Sequence, residues 1–372
     1  MYAQNPGYPP QAGSAYPPGP APPATLFDAV AGYEKTVYGQ GYAPPPPSAP
    51  PMPEERRPDE EFVSGASITA EEAQDAMESF VATQCCYGSS PAKEMEIRDI
   101  TPSSAYHYKL TTFTESRQTA WQYEPFTGQV VDGPHNGPAP GPWMIMVQPK
   151  QMFSPSSTKL EVPHTASVKQ CHECYGGGFK QCKTCAGRGW SKCHTCHGRG
   201  VVKDDFNEEK PCHACSGAGE GRCPPCNGGG RVKCDVCNGH TRLKTFIQLT
   251  VTWKNHDSEK TIERSHGGPK DKVKEAGGLQ IFHQQFPRVW PITTFFDSEI
   301  NNASQQFVSE HATSWPQERI LMQNHVLRAI PVAEVSYVWK NDSYRFWVYG
   351  KEPRKVFAPD YPQQCCCGCV IL

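Results

Sequence analysis

Twelve cysteines between Cys171 and Cys237 fall into six C-x-x-C pairs: Cys171/Cys174, Cys182/Cys185, Cys193/Cys196, Cys212/Cys215, Cys223/Cys226 and Cys234/Cys237. The first cysteines of successive pairs are 11, 11, 19, 11 and 11 residues apart, a list that reads the same in both directions. A tandem array gives no reason for one longer step at its centre. A chain folded back on itself does: the long step holds the tip, and the equal steps put matching pairs opposite one another.

A C-x-x-C turn offers two thiolates to one metal, and tetrahedral zinc takes four, so two turns must meet. Folding about the centre groups Cys171, Cys174, Cys234 and Cys237; Cys182, Cys185, Cys223 and Cys226; and Cys193, Cys196, Cys212 and Cys215, for three zinc ions per chain. Sequential pairing, first turn with second, is the competing arrangement. Each second cysteine is followed two residues on by glycine, and in five pairs a further glycine follows at the next alternate position; the sixth pair has Thr241 there, where the repeat is expected to end. Structural zinc is worth roughly 10–16 kcal/mol per site in small peptides, so metal should be a folding requirement of this Gly-rich segment.

At these residues the chain resembles the cysteine-rich domain of DnaJ (Hsp40) chaperones, whose repeat is C-x-x-C-x-G-x-G. That family has four repeats and two nested zinc sites, against six repeats here. The resemblance covers about 70 residues. It implies a zinc hairpin inserted in a β-rich domain, with protein clients or chaperones as partners. The J domain's His-Pro-Asp triplet is absent, which argues against direct stimulation of an Hsp70 ATPase. Taken whole, the Pro-rich start, the Cys85-Cys86-Tyr87-Gly88 run and the cysteine block followed by a Phe/Trp-rich end resemble the Ssu-two homolog family.

Charge argues against nucleic acid as a partner. Residues 169–244 carry 13 Lys/Arg and 7 Asp/Glu, a formal +6. Twelve thiolates with three Zn²⁺ add a formal −6, leaving no surplus to neutralise phosphates. The basic residues therefore read as compensation for the thiolates. His172, His194, His197 and His213 lie within or beside the pairs, but four thiolates fill each site, so they are expected at the surface or beside the sites. Thiol–disulfide exchange is the enzymatic alternative; it requires a low-pKa thiol at a helix start, which Gly-flanked turns do not offer. No paired carboxylates, Ser/His/Asp order or P-loop stands out, so no catalytic residue is expected.

The rest of the chain reads as α+β: a β-rich domain, in two parts at 65–168 and 243–358, interrupted by the zinc hairpin at 169–242. Residues 1–64 are expected to be a disordered tail, since residues 1–60 hold 16 of the 37 prolines and favour polyproline II. Within it Pro47-Ser48-Ala49-Pro50 fits an SH3- or WW-type ligand. Thr69 and Glu72 form a capping-box pattern before a helix carrying Ala73, Ala76, Met77, Phe80 and Val81. Cys85 and Cys86, at the end of that helix, are expected to be buried. Strands are expected over Tyr106–Thr114, Trp143–Gln148 and Leu243–Trp253, and a helix over Ser298–Ser314. Lys254–Gly278 reads as loop with a short helix. Val332–Trp339 and Ser343–Tyr349 read as a hairpin around Lys340-Asn341-Asp342, its aromatic residues packed in the sheet.

The chain ends Cys369-Val370-Ile371-Leu372, a C-a-a-X box of the geranylgeranyl form. Stable anchoring takes two lipids, and Cys365, Cys366 and Cys367 are candidates for palmitate on a flexible tail, residues 359–372. With no signal-like start and no long apolar run, the expectation is a cytoplasmic, peripherally membrane-attached zinc adaptor with no enzymatic activity.

Overall fold

The computed structural model describes residues 21–47, 68–203, 207–264, 267–269 and 272–364. Its strands are β1 (Glu96–Pro125), β2 (Ser156–Glu161), β3 (Ser167–Gln170), β4 (Phe179–Gln181), β5 (Trp190–Lys192), β6 (Val201–Lys203), β7 (Glu209–Pro211), β8 (Glu220–Arg222), β9 (Arg231–Lys233), β10 (Arg242–Ile262), β11 (Leu279–Phe286), β12 (Arg319–Trp339), β13 (Asp342–Tyr349) and β14 (Lys355–Phe357). The α-helices are α1 (Ala70–Ala82), α2 (Ser90–Glu94) and α3 (Ser298–Thr313). The fold is thus α+β and dominated by strands. The chain divides into two compact units, both of which use parts of β1 and β10.

In the unit without the cysteine pairs, strand order runs β14-β13-β12-β1, with β11 also pairing with β12. The β12–β13 turn follows its sequence signal. Lys340 and Asn341 both take positive φ, 49° and 71°. That is the two-residue primed turn whose twist matches flanking strands. Alternate residues of these strands, Val335, Tyr337, Phe346 and Val348, are buried with Ala73, Met77 and Val81 of α1. Thr69 caps α1 as expected: its hydroxyl accepts from the Glu72 amide at 3.3 Å, and Glu72 accepts from the Thr69 amide at 2.8 Å. The α3 helix begins at the Asp297 cap and buries Ile300 and Ala303 against Tyr108, Leu110, Phe282 and Leu327.

Several elements depart from the sequence reading. Strand β10 continues to Ile262, through residues read as loop. Residues 359–364 do not form a loose tail: Tyr361 is buried and its hydroxyl donates to Gly88 O at 2.7 Å. Cys85 is exposed and Cys86 only half-buried, because α1 ends at Ala82 and both lie in the turn beyond its apolar face.

In the other unit, β1 from Arg117 onward neighbours β10, which in turn neighbours β2 and pairs with β3. Trp143–Gln148 is turn and irregular backbone rather than strand. The buried Arg117 guanidinium donates to the carbonyls of Pro142 and Ile145, the latter at 2.8 Å, and lies over the Trp143 ring. Those carbonyls are engaged by a side chain rather than a ladder. Residues 21–44, expected within the disordered tail, have a defined structure. Leu26 and Tyr33 are buried. Phe27 stacks on Trp121, Tyr38 stacks on Tyr123, and Tyr42 bridges to Thr119. Proline content hides these apolar anchors, which need only a neighbouring strand to pack on.

Candidate metal centres

The cysteine segment leaves the sheet at β3 and returns at β10, where Gln170 pairs with Arg242. Three short antiparallel ladders follow. Phe179 of β4 faces Lys233 of β9, Trp190 of β5 faces Arg222 of β8, and Val201 of β6 faces Pro211 of β7. Every step along one arm is matched by an equal step on the other, so all the ladders keep one register. The palindromic spacing is therefore realised as backbone pairing.

Between the ladders the cysteines meet in the nested order: Cys171, Cys174, Cys234, Cys237; Cys182, Cys185, Cys223, Cys226; Cys193, Cys196, Cys212, Cys215. The first two clusters join the first turn with the sixth and the second with the fifth, where sequential pairing would join the first with the second and the fifth with the sixth. Within each cluster all four sulfurs lie within 4.8 Å of one another. Across the arms the Sγ–Sγ distances are 3.9 and 3.6 Å in the first cluster, 3.7 and 3.7 Å in the second, and 3.8 and 3.7 Å in the third. A tetrahedron with Zn–S bonds of about 2.3 Å has edges of about 3.8 Å. A disulfide would bring two sulfurs to about 2.05 Å. The donor set therefore fits a tetrahedral thiophilic ion. Four sulfurs this close repel as thiolates, so ionising a complete set calls for a cation.

Local backbone geometry aims the sulfurs. The residue after each second cysteine (Tyr175, Ala186, His197, Ser216, Asn227 and Asn238) is left-handed, with φ between 47° and 52°. This turns the following amides back toward sulfur: Gly178, Gly189, Gly200 and Gly219 donate to the Sγ atoms of Cys174, Cys185, Cys196 and Cys215 at 3.2–3.3 Å. Such bonds favour thiolate. Backbone amides at Cys185 and Cys196 hold the Cys182 and Cys193 thiols down, to about 7 and about 6. Burial pushes Cys223 and Cys215, members of the same two clusters, up, to about 12 and about 11.

Each first cysteine's amide also donates across the arms. Cys182 N bonds Gly230 O at 2.9 Å and Cys223 N bonds Gly189 O at 2.8 Å. At the base, Cys171 N bonds Thr241 O at 2.9 Å. Thr241 keeps the glycine's role, with φ 67°, so the repeat does not end before it. A β-branched residue there is strained.

Gly189 shows why glycine is needed. Its φ is +82°, and an added Cβ would sit 2.2 Å from Gly228 O. Gly189→Ala therefore combines left-handed strain of about 1–2 kcal/mol with a backbone collision. Metal release to a chromogenic chelator is expected to quicken about tenfold or more, about 1.4 kcal/mol per decade. Gly221→Ala, where a Cβ meets nothing within 4 Å, should leave the rate unchanged.

Around the clusters, Lys180 ties the two base turns by bonding Glu173 at 3.0 Å and Asp235 at 2.5 Å. Asp235, then burial, then Glu173 set the balance that raises its pKa. His194, His197 and His213 are exposed, and His172 sits edge-on to Tyr123 at 5.6 Å. None of the four joins a cluster among the described residues. Leu26 packs with Cys171, Cys234, Val236 and Cys237 against the base cluster. Sequence reasoning missed this contact; its only signal was an apolar Leu26-Phe27 pair within the Pro-rich stretch. Cys365, Cys366, Cys367 and Cys369 lie outside the described residues. No helix among the described residues is long and apolar enough to cross a membrane.

A strand-dominated α+β protein with three nested four-cysteine clusters, each able to hold a metal ion, is the class these features define. The chain is similar to three proteins each named Protein SSUH2 homolog. That of Danio rerio is 43% identical over 352 residues, covering 94% of this chain and 96% of the relative. That of Homo sapiens is 40% identical over 358 residues, covering 95% and 94%. That of Mus musculus is 46% identical over 257 residues, covering 69% and 75%. The chain belongs to the SSUH2 homolog family, the Ssu-two family its sequence resembles. No family model matches it. No solved structure matches it either.

Proposed function

We propose that the three clusters bind structural zinc, and that the cysteine segment is a DnaJ-type six-repeat hairpin serving as a non-enzymatic protein-binding module. The sulfur spacing carries the zinc reading: four thiols at tetrahedral edge lengths fill the coordination shell and leave no position for substrate or water. Zinc there stiffens the arms rather than performing chemistry. The C-x-x-C pairs meet other pairs instead of standing at a helix start, and no observation favours disulfide exchange.

Protein binding is supported by the surface of the arms. Tyr175, Phe179 and Trp190 are 82%, 57% and 50% exposed. Large aromatics at the surface, with basic neighbours such as Lys233 and Arg222 in the facing strands, suit a polypeptide partner carrying apolar and acidic groups. The test is suppression of aggregation of a chemically denatured client by the zinc-loaded chain. Tyr175→Ser/Phe179→Ser/Trp190→Ser should abolish it with metal content unchanged; equal suppression by the variant would refute the assignment.

Membrane attachment through a prenyl group on Cys369, with acyl chains on Cys365, Cys366 or Cys367, completes the proposal and accords with the C-terminal motif. Cys369 follows the last described residue, Gln364, by five positions, a reach of at most about 18 Å. The lipid would hold the α1–β14 region close to a bilayer on the cytoplasmic side. Unchanged membrane fractionation of Cys369→Ser would count against it.

A further inference from the structure

The clusters differ in what covers them. The middle cluster packs with Val232 of its own arm. The base cluster packs with Leu26 and Phe27, from the segment 21–44 far earlier in the chain. Three separate contacts join that segment to the base. Buried Leu26 sits in one apolar group with Cys171, Cys234, Val236, Cys237 and Leu243. Asp28 accepts from Lys169 Nζ at 2.5 Å and from Ser167 Oγ at 2.8 Å, both on β3, the strand that leads into Cys171. The Tyr38 ring stacks on Tyr123 at 5.4 Å, and Tyr123 in turn meets His172 edge-on at 5.6 Å.

The two ends of the segment rest on different supports. Toward Tyr42 the partners lie on β1 and in the loop 134–142. Thr36 Oγ1 and Thr119 Oγ1 share a hydrogen bond of 2.9 Å, and the Tyr33 hydroxyl donates to Pro140 O at 2.6 Å. Tyr42 N donates to Thr119 O at 2.8 Å and Thr119 N to Tyr42 O at 2.7 Å. These contacts involve no cysteine. At the Leu26 end, three of the five buried side chains grouped with Leu26 are cysteines of the base cluster. Metal–sulfur bonds gather those cysteines; without the ion the platform under Leu26 disperses. Phe27 joins the two ends, since it packs against the base cluster and also stacks on Trp121 at 5.1 Å.

We propose, building on the metal reading of the clusters, that residues 21–44 form a strap energetically linked to the base ion: the Leu26–Asp28 end seats on the loaded base cluster and in return holds that ion more tightly. Thr36–Tyr42 stays on β1 whether the ion is present or not. Coupling of this kind is reciprocal: the factor by which the strap tightens the ion equals the factor by which the ion tightens the strap. Loss of the base ion therefore bares Leu26, Phe27 and the Asp28 carboxylate together, a surface whose exposure reports the occupancy of one metal site and ignores the tip.

The test is hydrogen exchange and metal content of the reduced, full-length chain loaded with zinc. Leu26 N and Phe27 N are bonded to Pro23 O and Ala24 O, so their amides report seating of that end. Cys171→Ser/Cys234→Ser should lose one ion and quicken exchange at Leu26 and Phe27 about tenfold, within the usual range of such coupling, with Tyr42 unchanged. Cys193→Ser/Cys212→Ser should also lose one ion and alter neither end. The reverse direction uses variants with every cysteine intact. In competition with a chromogenic chelator, Leu26→Ala should weaken one ion by a similar factor. Asp28→Asn should do so by a smaller one, and Val37→Ala, at an exposed position, should have no effect. If the base variant loses no ion, the metal reading fails and the proposal with it. If it loses the ion while Leu26 and Phe27 keep their protection, or if Leu26→Ala leaves all affinities unchanged, the linkage alone is overturned.

Discussion

A chain carrying both Cys171→Ser and Cys182→Ser is expected to bind two metal ions fewer than the wild type, whereas Cys182→Ser with Cys223→Ser should lose only one. The two double variants remove the same number of thiols, so the difference reports topology alone. In the structure Cys171 faces Cys234 and Cys182 faces Cys223, each pair in its own cluster. Sequential pairing would put Cys171 and Cys182 on one ion and reverse the outcome. The effect is large because a structural zinc site contributes roughly 10–16 kcal/mol, and a three-sulfur remnant keeps a minor part of that. Metal quantitation after gel filtration against a competing chelator distinguishes one ion from two.

Stripping the metal is the second large perturbation. A strong chelator under reducing conditions should remove amide-exchange protection throughout β4–β9 and leave β12 and β13 protected. The ladders there hold only three residues per strand, and their buried apolar groups among the described residues are mainly the cysteines and Val236, with Val232 partly buried. Strands this short, without a face to pack on, do not hold together alone in water. The β12–β13 pair instead rests on a core with Met77, Tyr337, Phe346 and Val348 fully or nearly fully buried. Acid should act in the same direction as the chelator: protons compete for the thiolates, so affinity falls as pH falls. Protection that persists in β4–β9 after complete metal removal would show that hydrogen bonds and glycine turns suffice.

The part of this protein most legible in its sequence is the cysteine segment. Palindromic steps are a distance code, and a code of distances maps directly onto antiparallel register. Short-range signals also carried through, because their physics is local. The Thr69–Glu72 box needs three residues, and the Lys340–Asn341 turn needs two. Long-range contacts were not legible. Trp143–Gln148 has strand-like residues, but Arg117, more than 20 positions earlier, takes its carbonyls. Leu26 and Phe27 sit in a Pro-rich stretch whose composition argues for a solvated tail, yet they find β1 and the base cluster. The meeting of Tyr87 with Gln364 lies beyond any local reading. Thr241 is the instructive case within the repeat: its residue type signals an ending, but backbone pairing with Cys171 holds it in the glycine conformation.

The central claim is that the cysteines of the arms hold their ions through sulfur alone. Zinc-edge X-ray absorption on the purified, reduced chain measures this directly. The account predicts a first shell of four sulfurs per zinc at about 2.3 Å, with no nitrogen or oxygen scatterer. A shell containing nitrogen or oxygen at about 2.0–2.1 Å would contradict it, because an imidazole or water would then occupy a position the four thiolates are meant to fill.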